Sequence, residues 1–300
     1  MKKHFIATLL IPATFLFLLL NSCGNNSDNN PPTDSLGGDS TANTTDTSMN
    51  HNDARVPSPS DLFAYLKVSG VKDVNANFLN PVDNEKKYES KKAMAINLGI
   101  YSADLLYCST FSISDKVVSY FGACMRMGDK LKVATNLSDK DKDRINKNAG
   151  NGDSLIAISN DMYLSSFENL ENTDRGADLS LMLSGGWIEG LYLNSTLVKD
   201  FEKDKSIAMN LVEQRIAISN LIDFMATYDK DADVKSVEDQ LKDLKSLMDA
   251  VTSSGGTSGP TKKDGKLHIG GGPKMDLSKD QFDAITKKIA DIRNMMITLN

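Results

Sequence analysis

The 300-residue chain holds only three cysteines, three histidines and one tryptophan, and each scarcity removes a class of chemistry. His4 lies in an apolar N-terminal segment, His51 in polar chain and His268 in a glycine-rich loop. A helix-borne His/carboxylate metal site therefore has no imidazole to draw on. A basic stripe is also missing. Lysines alternate with acids, as in "DKDKDRINK", and the formal net charge is −6, whereas nucleic-acid binding needs a concentrated positive footprint. No apolar run reaches the roughly 20 residues that span a bilayer. Strand-like alternation is absent apart from "KLHIG".

Three motif fragments lack the residues that would complete them. "GGG" at Gly270–Gly272 follows no strand and precedes no Gly-Lys-Ser/Thr, so it reads as a loop and not a phosphate cradle. "DKDKDR" from Asp139 and "DKDADV" from Asp229 begin like calcium loops. Their sixth positions are Arg144 and Val234, and their twelfth are Gly150 and Gln240, where that loop needs Gly and Glu. No cofactor is expected. Cys108 and Cys124 make an unsuitable disulfide pair. On helices folding back near Ile113, they are offset by about 9 Å along the axis, beyond the roughly 7 Å limit for bridged Cα atoms. They are expected as buried free thiols.

What is present begins at the amino terminus. Lys2 and Lys3 precede an apolar run from Phe5 to Leu20 that contains Pro12, the pattern of a secretory signal. The run ends at Leu20, Asn21, Ser22 and Cys23, without a small-x-small site. These four residues resemble the lipobox of bacterial lipoproteins, although Asn21 departs from the usual small residue. The resemblance implies that residues 1–22 are a removed signal and that Cys23 takes acyl chains. Two or three chains hold a protein durably at a membrane where one does not. Gly24 in place of Asp is compatible, in that family, with sorting to the outer membrane. From Cys23 to Pro59 the chain is Asn, Asp, Ser, Thr, Gly and Pro with almost no large apolar residue. Such a segment reads as a flexible tether.

Residues 60–300 carry helical periodicity almost throughout, interrupted by the Gly/Ser-rich loop 253–272. The expected fold is all-α, a bundle of seven or eight helices joined by short turns. Helical stretches around Met94–Phe111 and Leu179–Val198 are apolar on most faces, which marks them as central. They also match each other at an offset of 85 residues, Asp104 on Glu189 and Tyr107 on Tyr192 ("DLLY", "EGLY"). A duplicated helical hairpin is one reading of that match, chance likeness the other. Gly186 and Gly190 share a face, which predicts close helix packing with Trp187 buried, or else a kink at the glycines. The pieces "NLGIYSADLLY" and "DRGADLSLMLSGGWIEGLYL" resemble uncharacterised helical lipoproteins of Gram-negative bacteria. That resemblance implies fold and location and brings no catalytic residue.

Asp104 and Glu189 sit on otherwise apolar helices and must find partners or stay protonated. Arg126 and Arg215, in similarly apolar helices, are the expected partners. With Tyr107, Trp187 and Tyr192 they form one candidate set. It is either a buried network that fixes register or the lining of a small-ligand pocket between the helices. The expectation is a membrane-tethered envelope lipoprotein that docks an envelope protein partner or acts as a scaffold, and not an enzyme. The alternative is a ligand binder with its pocket near Asp104 and Glu189.

Overall fold

The computed structural model of the chain describes residues 59–72, 74–133, 151–251 and 275–300, with short backbone pieces between 49 and 56, 143 and 148, and 253 and 274. Cys23, the signal, most of the tether, Asp139 and Gly270–Gly272 lie outside the described residues. The fold is all-α. The described residues hold nine α-helices: α1 Pro59–Val68, α2 Lys91–Thr110, α3 Ser114–Leu131, α4 Gly152–Asn172, α5 Gly176–Thr196, α6 Lys205–Glu213, α7 Arg215–Ala226, α8 Ala232–Asp249 and α9 Lys279–Ile297. Two 3-10 turns, Ala76–Phe78 and Val82–Lys87, carry the chain from α1 to α2. Antiparallel pairings of two or three residues, such as Thr261–Lys263 with Lys266–His268, are each two-stranded. The "KLHIG" stretch supplies one of these strands.

Local chemistry explains most boundaries. Ser90, Asn151, Asp231 and Ser278 each accept a backbone N–H at the start of α2, α4, α8 and α9, satisfying donors that the first turn leaves open. At α9, Gln281 returns the bond to Ser278 and completes a capping box. The serines at Ser112–Ser114 act differently from a start cap. The position before α3 is Ile113, which makes no side-chain cap bond. Ser112 instead takes a left-handed φ of 57° and lets Ile113 N–H reach Cys108 O at 2.8 Å. The cluster thus closes α2, as a left-handed residue after a helix commonly does. The continuous apolar pattern from Ser206 to Tyr228 is broken at Gln214, whose ψ of 1° lies off the helical value and divides it into α6 and α7.

Helices α2 and α5 form the centre. Seventeen residues of each are buried, so neither has a solvent face. Around them α1 and α9 touch both helices, α3 and α4 cover α2, and α6, α7 and α8 cover α5. The two central backbones approach closely through glycine. A Cβ on Gly99 would lie 1.9 Å from the Met182 carbonyl oxygen, and one on Gly185 2.1 Å from that of Ile96. Gly186 faces Gly99, while Gly190 faces Pro59 and Leu62 of α1. Trp187 is fully buried within an uninterrupted helix, so close packing and not a kink explains these glycines.

Candidate functional site

The contacts between α2 and α5 set their relative direction. Ile96 meets Gly185, Gly99 meets Gly186, and Asp104 meets Glu189. The helices therefore run in the same sense, near the 85-residue offset read from sequence. That register brings the two acids together in the centre of the domain, both with no solvent exposure.

Their arginine comes from α9. Arg293 Nε donates to Glu189 Oε2 at 2.8 Å and Nη2 donates to Oε1 at 3.0 Å, the paired geometry that a planar guanidinium makes with a carboxylate. Nη2 also donates to Phe78 O at 2.9 Å, and the guanidinium lies 4.3 Å from the centre of the Tyr192 ring. Burial opposes the arginine's charge, but Glu189 beside it outweighs that and holds its pKa above the ordinary value.

Asp104 has a different environment. Its Oδ2 accepts Asn80 N–H at 3.1 Å, and its Oδ1 faces no N–H or hydroxyl donor. Burial first, and then the charge of Glu189, push its pKa well above the usual carboxylate range. Two carboxyl groups in hydrogen-bond contact need one proton between them. The raised pKa makes Asp104 the acid that holds it. The three groups then sum to zero charge, which is the condition for tolerating them in an apolar interior.

A shell of amides and phenols extends this centre. Asn80 Nδ2 donates to Tyr88 Oη at 2.9 Å, and Tyr88 Oη donates to Ile297 O at 3.2 Å. Asn97 Nδ2 donates to Met296 O at 3.0 Å. Tyr101 and Tyr120 donate their hydroxyls to Pro81 O and Asn80 O at 2.9 and 3.0 Å, and burial raises the pKa of both. These bonds tie the segment from Phe78 to Tyr88 to itself, to α2, to α3 and to the end of α9, and the end of α9 to α2. Chemically the arrangement is a lock: the ionised groups neutralise each other and no reacting atom is open to solvent.

The sequence-derived set divides accordingly. Asp104 and Glu189 meet, and Tyr192 stacks beneath Arg293. Tyr107 is fully buried and packs at ring-centre distances of 5.6 Å from Phe63 and 4.9 Å from Phe111. The two arginines proposed as partners do not join the site. Arg126 is half-exposed and donates to Glu85 Oε1 at 2.7 Å, because α3 turns that face towards the Val82–Lys87 turn. Arg215 stands partly exposed at the break between α6 and α7, where Gln214 caps the preceding helix. Arg293 carried a readable signal. In "IADIRNMM" it lies four residues after Ile289 and three before Met296, on the stripe that α9 buries. Cys108 and Cys124 are buried free thiols, their pKa values pushed up by burial. Among the described residues no group of three His, Cys, Asp or Glu side chains is placed to hold a metal ion.

Geometry thus defines the class: an all-helical domain organised around a buried acid, carboxylate and arginine. Comparison of the chain with protein-family models, with curated proteins and with solved structures finds no match in any of the three.

Proposed function

We propose that this chain is an envelope lipoprotein, held at the outer membrane by acyl chains on Cys23, whose helical domain docks a protein partner and catalyses no reaction. The observation that supports this reading most is the burial of the Asp104–Glu189–Arg293 centre. Its most chemically distinctive residues serve folding, so recognition falls to the surface. Burial also argues against the alternative of a ligand pocket at Asp104 and Glu189. Among the described residues no helix is long and apolar enough to cross a membrane, and the lipobox-like Cys23 supplies the anchor in this reading.

The test is fractionation combined with cross-linking. Cys23→Ala is expected to move the protein from the membrane to the soluble fraction at high salt, and cross-linking in intact envelopes to yield a discrete adduct with another envelope protein. A Cys23→Ala variant that still sediments with membranes would defeat the anchoring claim. Absence of any adduct would defeat the docking claim.

A further inference from the structure

A second concave site lies away from the buried centre, where the end of α4, the start of α5 and the end of α7 converge. It is a cleft of about 420 Å³ lined by Glu171, Asp174, Gly176, Leu179, Phe224 and Tyr228, within the size range of ligand sites. Leu179 and Phe224 are buried and form an apolar floor, while Glu171 and Asp174 are exposed at the rim. Phe224 and Tyr228 meet edge to face at 5.5 Å. The Tyr228 phenol lies directly over the start of α5, since a Cβ on Gly176 would fall 1.9 Å from its oxygen.

Two of the three helix ends at this cleft are C-termini, and the start of α5 is the third. A helix C-terminus carries partial negative charge, and cations there are favourable while acids are not. Neither α4 nor α7 has a basic residue in its last turn. The α4 end instead carries Glu171, with Asp174 two residues beyond the helix at a left-handed φ of 53°. The adjacent cation, Arg175, is committed elsewhere: its Nε donates to Asp178 Oδ2 at 2.7 Å and its Nη1 to Lys132 O at 3.3 Å. The Asp174 carboxylate has no ion pair among the described residues. Two helix C-termini, the start of α5, two acidic residues and two aromatic rings therefore surround one concave surface.

We infer that this cleft receives a lysine or arginine side chain of a protein partner. Such a side chain has an apolar stem and a charged head. The stem fits the Leu179–Phe224 floor, the head reaches the Asp174 carboxylate at the rim, and the Tyr228 ring face adds a cation–π contact. A bare metal ion would use the acids but leave the apolar floor without a role. The inference names the partner chemistry for the docking role proposed above and rests on that reading.

The test uses the full chain in detergent with ¹³C-tyrosine labelling, the Tyr228 signal being assigned with Tyr228→Phe. The probes are a blocked Gly-Gly-Lys-Gly-Gly peptide, the same peptide with its lysine Nε-acetylated, and butylammonium. The lysine peptide is expected to shift the Tyr228 signal saturably. Combining Glu171→Gln with Asp174→Asn, both at exposed positions, is expected to weaken it about tenfold, the equivalent of about 1.4 kcal/mol. Equal binding of the acetylated peptide, or undiminished binding to the double variant, overturns the cation site. Butylammonium binding as tightly as the peptide assigns the cleft to small amines and overturns the protein source. An envelope adduct that persists in the double variant also overturns the cleft's role while leaving the docking reading intact; its loss supports both.

Discussion

Helices α2 and α5 carry the same spacing of an acid and a tyrosine, yet the two copies are used differently. On α5, Glu189 accepts from two nitrogens of the Arg293 fork, and Tyr192 lies under the guanidinium. On α2, Asp104 is the neutral partner, fed by one backbone N–H from Asn80, and Tyr107 is buried among Phe63 and Phe111. One arginine serves two acids, so only one can hold a charge. The difference arises from α9, which lies against both helices but directs its guanidinium to the α5 acid. Equivalent sequence positions on two parallel helices therefore acquire different partners from a third element.

Removing the arginine is expected to have the largest effect on this asymmetry. Arg293→Met leaves Glu189 buried without its cation, at a cost of about 3–5 kcal/mol. Arg126→Met, whose side chain is 54 % exposed, is expected to cost only about 1 kcal/mol. Urea titration of both variants measures the gap. Equal losses would mean that the α3 pair matters as much as the central one.

Next comes the backbone contact that brings the acids together. Gly99→Ala drives a methyl against the Met182 carbonyl and is expected to destabilise by about 1–3 kcal/mol. At Gly190 the nearest atom to an added Cβ is the end of the flexible Leu62 side chain, 3.1 Å away. Gly190→Ala is expected to stay within about 1 kcal/mol of the parent, packing strain set against better helix propensity. Thermal unfolding ranks the two, and a more stable Gly99→Ala would contradict the close α2–α5 approach.

The smallest effect tests the proton itself. Asp104 has an ordinary pKa of 3.8 when unfolded and a much higher one when folded. The folded state then holds a proton that the unfolded state has released. This contribution is complete below about pH 3.8 and is lost as pH rises through the folded value. Asp104→Asn mimics the neutral acid, accepting from Asn80 and donating to Glu189, without any proton to lose. Its stability relative to the parent is expected to improve between pH 5 and pH 9 in urea titrations. Parallel pH profiles would show that Asp104 is ionised in the native state.

Much of this architecture was legible in the residues. Period-3.6 patterning of short-looped segments gave the all-α class, because an amphipathic helix displays its buried face in its own sequence. The apolar circumference of α2 and α5 likewise marked them as central, and the glycines on α5 announced a close neighbour. The break at Gln214 was not legible, since the apolar pattern runs through it without proline or glycine. The left-handed turn at Ser112 was not legible either, because serine suits several local turns.

The partner of the acids marks the boundary between the two kinds of information. Sequence alone determined that Asp104 and Glu189 lie on buried helices and therefore need compensation, since transfer of a charge from water is costly wherever it happens. Which cation supplies it is a question of position in space. Arg126 and Arg215 were the expected partners, but α3 turns the first to Glu85 and the second stands partly exposed at the helix break. Arg293 lies 104 residues from Glu189 in the chain, and only the docking of α9 across α2 and α5 brings it within hydrogen-bond reach. Helical patterning is local and repeats within a few turns, whereas ion pairing depends on how distant helices pack, which tertiary structure alone decides.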